Sequence, residues 1–358
     1  MKKSETFRVL GLMSGTSLDG LDMSYAVYRR ASGKWTYKLE KAVFIPYEVD
    51  MISMLRNAIH FSAQELLQLH VDYGKWLGIK CQDVIQDNKW EVDFISSHGH
   101  TVFHQPDKGL TFQAGSLQHI FNVVKTPIIG DFRTMDVAKG GQGAPFVPIG
   151  DKTLFSEYDI CVNLGGISNL SYDFQGNRLA YDVGACNMLL SYILKDSEQD
   201  YDDKGAISRR GRIIQGFYDA LNDLAYFSTS PPKSTGYEWF RKEVEPIVDN
   251  YRSSSLEDLL HTAVKHISYQ LSRAFAQAKN EGQVLLTGGG AKNDFLMEAL
   301  RTQCGKDLEV VVPEMDLVDF KEALIFGLMG AMRWVGEDNV IASVTGASSD
   351  SCSGVIIN

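Results

Sequence analysis

The feature that most restricts the fold is a device that occurs twice. Near the start, the apolar stretch "FRVLGLM" runs into the polar loop "SGTSLDGLD" and out through "MSYAVYRR". Past the middle, "DICVNLGG" from Asp159 runs into "ISNLSYDF", which turns at "QGN" (175–177) into "RLAYDV". Short apolar or alternating runs bounded by Gly, Asn and Ser read as strands joined by turns. Each half of the chain is therefore expected to open on a β-hairpin whose first strand ends in a glycine-bearing loop.

Between and after these hairpins the spacing becomes helical. "SAQELLQLHVDYGKWLGIKCQDVIQ" starts with a capping box at Ser62 and Glu65, and "GSLQHIFNVVK", "ACNMLLSYILKD" and "SLEDLLHTAVKHISYQLSRAFAQAK" read as further helices. "VDFISSHGHTVF" reads as a buried strand leaving into a loop, and "TPIIGDF" as another strand. "QVLLTGGG", "DFLMEALRTQ", "LEVVVP" and "DFKEALIFGLMGAMRW" follow as strand, helix, strand and helix. The expectation is an α/β protein with mixed sheets flanked by helices, present twice. At 358 residues the chain exceeds what one core usually supports, so two lobes are expected, with the Gly- and Pro-rich segment 130–148 between them.

A net charge of −10 without a long Lys/Arg run argues against nucleic acid or an anionic membrane surface as partner. The five cysteines are odd in number, widely spaced and free of C-x-x-C, which suits a reducing compartment. Neither a signal-peptide pattern nor an apolar run long enough to span a membrane is evident, so a cytoplasmic enzyme is expected.

The loops carry the chemistry. In "GLMSGTSLDGLD" (11–22), Gly11, Gly15 and Gly20 allow close backbone approach, Ser14, Thr16 and Ser17 offer hydroxyls, and successive amides can line an anion site. A polyphosphate suits such a loop, and Asp19 then calls for a bridging Mg²⁺. An ordinary hairpin turn is the bland alternative. The loop is neither a Walker A motif nor G-x-G-x-x-G. "NLGGISN" (163–169) is a second glycine turn, and "LLTGGGAKNDF" (285–295) a third that opens a helix. Asp182, near a strand end in "YDVGACN", is a candidate general base or, more plainly, a helix cap. Arg133 could fork onto a carboxylate. His98, His100 and His104 invite a zinc reading, but no fourth ligand has suitable spacing, and hydrogen bonding to substrate or neighbouring loops is preferred.

Taken together, "GLMSGTSLDGLD", "SSHGHTVFHQP", "GDFRTMDVAKGGQGAPFVP", "NLGGISNLS", "YDVGACNM", "PKSTGYEWF", "LLTGGGAKN", "EALIFGLM" and "SVTGASS" resemble the anhydro-N-acetylmuramic acid kinase family nearly end to end. That family is a branch of the sugar kinase, actin and heat-shock chaperone superfamily. The resemblance implies a two-lobed actin-like ATPase fold of duplicated ribonuclease H-like domains, each with a mixed five-stranded sheet. One lobe would comprise residues 1–145 plus about 338–358, the other 146–337. It also implies an ATP- and Mg²⁺-dependent homodimer that opens the anhydro ring of an amino sugar with water while phosphorylating O6, in cell-wall recycling.

In that picture the nucleotide is met by Gly15, Thr16, Ser17, Leu18, Asp19, Gly20, Leu21 and Asp22. The second loop contributes Asn163, Gly165 and Gly166, and the third Gly288, Gly289, Gly290 and Asn293. Asp19 bears on the metal and Asp182 is the base. His98, Thr101, Arg133, Gln142 and Glu322 lie on the sugar side. The family usually reads D-T-G-P-G-N where this chain has "DVGACN", and commonly has glutamine at His100. Two rivals stay open at this point: a kinase of another amino sugar, and a chaperone-like ATP-binding module.

Overall fold

In the computed structural model, which describes residues 5–15 and 17–358, the chain forms two compact units. The first contains residues up to Leu154 together with Phe320–Asn358; the second is Phe155–Asp319.

The first unit contains β1 (Glu5–Ser14), β2 (Gly20–Ala31), β3 (Lys34–Pro46), β4 (Phe94–Gln105), β5 (Leu110–Ala114) and β6 (Ile128–Gly130). The second contains β7 (Ile160–Leu164), β8 (Ile167–Phe174), β9 (Asn177–Ala185), β10 (Gly282–Thr287) and β11 (Leu308–Val311), and β12 (Val355–Ile357) returns to the first. In the first sheet the order is β12-β6-β4-β1-β2-β3, with β5 folded back on β4. The second sheet has the order β11-β10-β7-β8-β9. In each, the central strand (β1 or β7) has two strands in antiparallel succession on one side (β2 and β3, or β8 and β9) and two parallel strands on the other (β4 and β6, or β10 and β11). The duplicated mixed-sheet α/β architecture expected from sequence is therefore present, the first copy enlarged by β5 and β12.

Three details depart from the sequence reading. Leu21 and Asp22 pair with both β1 and β3, and Gly20 with β3, so the first glycine loop ends before Gly20. β3, an edge strand of mixed exposure that the sequence analysis did not identify, completes the antiparallel side. β4 continues as strand to Gln105, where a loop was expected, because it pairs with β5.

The units divide differently from the boundaries expected above. Residues 146–154 and 320–337, assigned there to the second lobe, belong to the first unit. The reason lies in helix Met315–Trp334, which carries small residues at the positions that meet the first sheet. A Cβ on Gly327 would overlap the Tyr28 ring hydroxyl, and one on Gly330 would lie 2.6 Å from Ser96 Oγ. With no side chain there, the buried hydroxyls of Tyr28 and Ser96 donate to the helix carbonyls of Leu324 and Phe326, each at 2.5 Å. These carbonyls can use their second lone pair, so burying both hydroxyls leaves them satisfied. The ion pair of Lys321 with Asp151, 2.7 Å and nearly inaccessible at both ends, binds helix Val147–Leu154 to the same helix.

Helix Ala63–Asn88 covers the first sheet and starts with the capping box read from sequence: Ser62 Oγ accepts from Glu65 N–H while Glu65 returns to the Ser62 amide. In the second unit the core gathers around helix Leu256–Ala278, with Leu260, Val264, Leu271 and Phe275 fully buried among side chains from β7 and β10. Among the described residues no helix is long and apolar enough to cross a membrane.

Gly11 on β1 is the tightest point of the first unit, since any Cβ there would strike the carbonyl oxygen of Ala323. Gly11→Ala should destabilise the protein by about 2 kcal/mol or more, because backbone on both sides must move. A lower urea midpoint with an unchanged m-value is the expected result.

Candidate functional site

The first glycine loop leaves the C-terminal end of β1. Leu18 adopts φ 59°, and its amide closes the turn on the Gly15 carbonyl at 3.4 Å. The Asp19 carbonyl accepts from the Tyr47 amide at 3.1 Å, while Asp19 Oδ1 accepts from Ser17 Oγ at 2.6 Å and from the Gly20 amide at 3.0 Å. Asp19 is exposed and brings a single carboxylate to this loop. That donor set fits Mg²⁺, which typically keeps several waters and takes one or two carboxylates beside phosphate oxygens. Thr16 lies outside the described residues. Of the rest, Gly20, Leu21 and Asp22 are strand residues, and the Leu21 side chain is buried in the first core, so only its backbone could meet a ligand.

Behind this loop runs a buried hydroxyl chain. Tyr73 OH and Tyr47 OH are 2.6 Å apart, Tyr47 OH donates to Ser14 Oγ at 2.7 Å, and Ser14 Oγ lies 2.8 Å from His100 Nδ1. Because Tyr47 spends its one proton on Ser14, the proton between the two phenols comes from Tyr73. Burial holds the His100 pKa down at about 4, so the ring is neutral near pH 7.

Of the residues read as sugar-side, His98, Arg133 and Glu322 come together in the first unit. Arg133 Nε donates to His98 Nε2 at 2.8 Å and Nη1 to the Gly143 carbonyl at 2.5 Å, with its guanidinium 5.0 Å over the Phe146 ring. His98 Nδ1 lies 2.9 Å from the Gly99 carbonyl, so the neutral tautomer with the proton on Nδ1 satisfies both contacts. Burial beside the Arg133 cation keeps His98 well below its ordinary pKa. Burial also lowers Arg133, to about 10, against the opposing pull of Glu322 and Asp136. Glu322 is pushed up by burial and drawn back by Arg133 and Lys321. Gln142, exposed beside Gly143, donates its amide to Thr345 O at 2.8 Å. Thr101, on β4, instead contacts Gln113 Nε2 at 3.4 Å.

In the second unit the other two glycine turns stack on each other. Gly165 and Gly166 follow β7, and Gly288–Gly290 follow β10, its parallel neighbour. Asn187 Nδ2 donates to Leu164 O at 2.9 Å, and the amides of Cys186 and Asn187 donate to Gly166 O and Gly165 O at 2.8 and 3.1 Å. The glycines divide into two kinds. Gly288 has φ 84° and sits against Asn163 and Leu164, and a Cβ on Gly290 would lie 2.8 Å from Leu164 Cβ. Protein packing alone demands glycine at both. Gly165, Gly166 and Gly289 lack a positive φ, and a Cβ on any of them would meet nothing nearer than 3.5 Å. Neither a positive φ nor packing demands glycine there, and the main chain at these positions is open to close approach. Asn293 spends its side-chain oxygen on the Leu296 amide at 2.9 Å as N-cap of helix Asp294–Cys304.

Asp182 lies on β9, the edge strand of the second sheet, and is half-buried. The helix that follows is capped at Cys186, so Asp182 is not its cap. Its Oδ2 accepts from Ser234 Oγ and from the Thr235 amide, each at 2.9 Å. Its amide donates to Lys233 O at 3.0 Å, and its carbonyl accepts from Tyr226 OH at 2.7 Å. Burial raises its pKa above the ordinary carboxylate value, and the bonds from Thr235 and Ser234 oppose that shift. Ser234 and Thr235 were not named among the candidate residues, although "PKSTGYEWF" was part of the resemblance.

A kinase is the class that this chain falls into. Residues 7–358 match the family model described as anhydro-N-acetylmuramic acid kinase. The chain belongs to the anhydro-N-acetylmuramic acid kinase family. It is 31% identical to the enzyme of that name from Francisella tularensis subsp. novicida (strain U112), over 97% of each chain. Against that of Bacillus thuringiensis subsp. konkukian (strain 97-27) it is 29% identical, over 95% of this chain and 96% of the relative. Among solved structures, it is similar to component A of (R)-2-hydroxyglutaryl-CoA dehydratase from Acidaminococcus fermentans, with TM-score 0.46 and 11% identity, over 90% of this chain and 96% of that one.

The two kinds of glycine should separate on substitution. Gly165→Ala should leave the melting temperature unchanged or slightly raised, since alanine restricts the unfolded chain by roughly 0.4–1 kcal/mol. Gly290→Ala should lower it by several degrees through overpacking against Leu164. Differential scanning calorimetry of the two variants checks the contrast.

Proposed function

We propose that this kinase uses ATP and Mg²⁺ to convert 1,6-anhydro-N-acetylmuramic acid to N-acetylmuramic acid 6-phosphate, as a step in peptidoglycan recycling. Asp182 takes a proton from water as that water attacks the anomeric carbon. The bond from this carbon to O6 breaks, O6 bonds to the γ-phosphorus of ATP, and the bond to the β-phosphate oxygen breaks to release ADP. The family match along nearly the whole chain supports this substrate. The observation that carries the nucleotide part is the set Gly165, Gly166 and Gly289, glycines without an internal reason to be glycine, in the unit that holds Asp182.

The chain's own groups have distinct tasks in this reading. Main-chain amides of the 165–166 and 288–290 turns offer donors to phosphate oxygens, and such preorganised donors stabilise charge as it develops. Asp19 would help hold Mg²⁺, which neutralises charge on the transferred phosphoryl group when bound. Arg133, held by His98 and Gly143, presents its cation to the lactyl carboxylate of the sugar. Asp182, with its raised pKa and one oxygen committed to the 234–235 loop, is a stronger base than an exposed aspartate.

Asp182→Asn should lower kcat by about 10²–10⁴-fold or more while ATP binding by calorimetry stays within about threefold. Retention of most of the kcat would remove Asp182 from this role. Run in ¹⁸O water, the wild-type reaction should place one heavy oxygen on the anomeric carbon of the phosphorylated product and none in the phosphate. Heavy oxygen in the phosphate instead would mean that water attacks phosphorus.

A further inference from the structure

β9 is a sheet edge, and an edge strand presents unpaired amides and carbonyls unless something covers it. At Asp182 the cover is the segment Tyr226–Thr235. It bonds the backbone of Asp182 on both polar groups, through Lys233 O and Tyr226 OH, and the side chain on one oxygen, through Ser234 Oγ and the Thr235 amide. The segment is itself tied together, because Lys233 Nζ donates to Tyr226 O at 2.9 Å and lies 4.4 Å over the Tyr226 ring. The carboxylate is thus held in rotation as well as in place, and its two oxygens are not equivalent: both side-chain hydrogen bonds end on Oδ2.

We propose that Ser234 is a positioning residue for the base: with the Thr235 amide it commits Oδ2 of Asp182 to the loop, leaving Oδ1 as the atom that receives the proton. The proposal rests on the base assignment made above and adds which oxygen acts and what orients it. No covalent chemistry is required of Ser234. The proton leaves water, an oxygen–hydrogen bond forms at Oδ1, and Ser234 keeps its own proton throughout.

The titratable groups around Asp182 make the loop bonds the adjustable part. Tyr226 faces it from the loop and Tyr181 precedes it on β9, and burial holds both phenols neutral. Lys233 gives its charge to the Tyr226 carbonyl and ring. Burial raises the carboxylate pKa, and Thr235 and Ser234 lower it. Removing the Ser234 donor therefore raises the pKa further. The base works ionised, so the acid limb of the kcat/KM profile must move to higher pH.

The test measures two quantities in wild type, Ser234→Ala and Ser234→Thr: the carboxyl pKa of Asp182 by ¹³C NMR, located by its loss in Asp182→Asn, and the acid limb of kcat/KM for the anhydro sugar with ATP and Mg²⁺. In Ser234→Ala both should rise together by about half a unit to one unit, as expected for one hydrogen bond to a charged acceptor at an exposed position. Ser234→Thr, which keeps the hydroxyl, should return both towards wild type. An Asp182 pKa that does not move in Ser234→Ala overturns the positioning role whatever Asp182 does in the reaction. A pKa that rises while the acid limb stays put overturns the base assignment and the proposal with it.

Discussion

The site residues depend on one topological constraint: the central strand of each sheet has an antiparallel neighbour on one side and a parallel neighbour on the other. An antiparallel neighbour can be reached by a tight turn, whereas a parallel neighbour needs a crossover. The C-terminal end of β1 or β7 is therefore crossed by a short hairpin loop, while the parallel strand beside it leaves differently in the two units: β4 folds back into β5, and β10 runs on into helix Asp294–Cys304. Between these two exits the ends of the strands stay open, which is where ligands of open α/β sheets bind. In the second unit the two exits are Gly165–Gly166 and Gly288–Gly290, which pack together at Leu164 and Asn187.

Glycine does two jobs in this molecule, and they are separable by asking what a methyl group would hit. Gly11, Gly327 and Gly330 let a helix lie directly on the first sheet, close enough for Tyr28 and Ser96 to hydrogen-bond its carbonyls. Gly288 and Gly290 do the same between strand ends. At Gly165, Gly166 and Gly289 the space is open. A sequence presents all of these as the same letter, so a glycine-rich turn read alone is ambiguous between packing and binding.

What was legible in the sequence follows the range of the interactions involved. Local signals held: the capping box at Ser62, the hairpin at Gln175–Gly176 with φ of 50° and 82°, and the succession of strands and helices beyond Gln283 all appear where the residue pattern put them. Signals that depend on a distant partner did not. β3 and the later part of β4 are strands because β2 and β5 pair with them, and their mixed exposure hides the alternation. Residues 320–337 join the first unit through contacts with Tyr28, Ser96 and Asp151, which lie far away in sequence. Ser234 and Thr235 reach Asp182 across about fifty residues in an irregular loop, and no periodicity marks such a contact.

The same distinction bears on "DVGACN", where the chain departs from the pattern common in its family. Val183, Ala185 and Cys186 are all buried and belong to the core of the second unit. Burial pushes the Cys186 thiol up to about 12, so it is an inert apolar group near neutral pH. The contacts that matter for the turn are made by backbone: Cys186 N–H to Gly166 O, and Gly184 O accepting from Ser168 Oγ. Gly184 itself is needed, since a Cβ would come within 2.9 Å of the Phe227 ring. Asp182 keeps both its loop bonds and Asn187 its bond to Leu164. The changed letters thus fill the interior beneath Asp182, while the hydrogen bonds of Asp182 and Asn187 rest on groups that those letters do not supply.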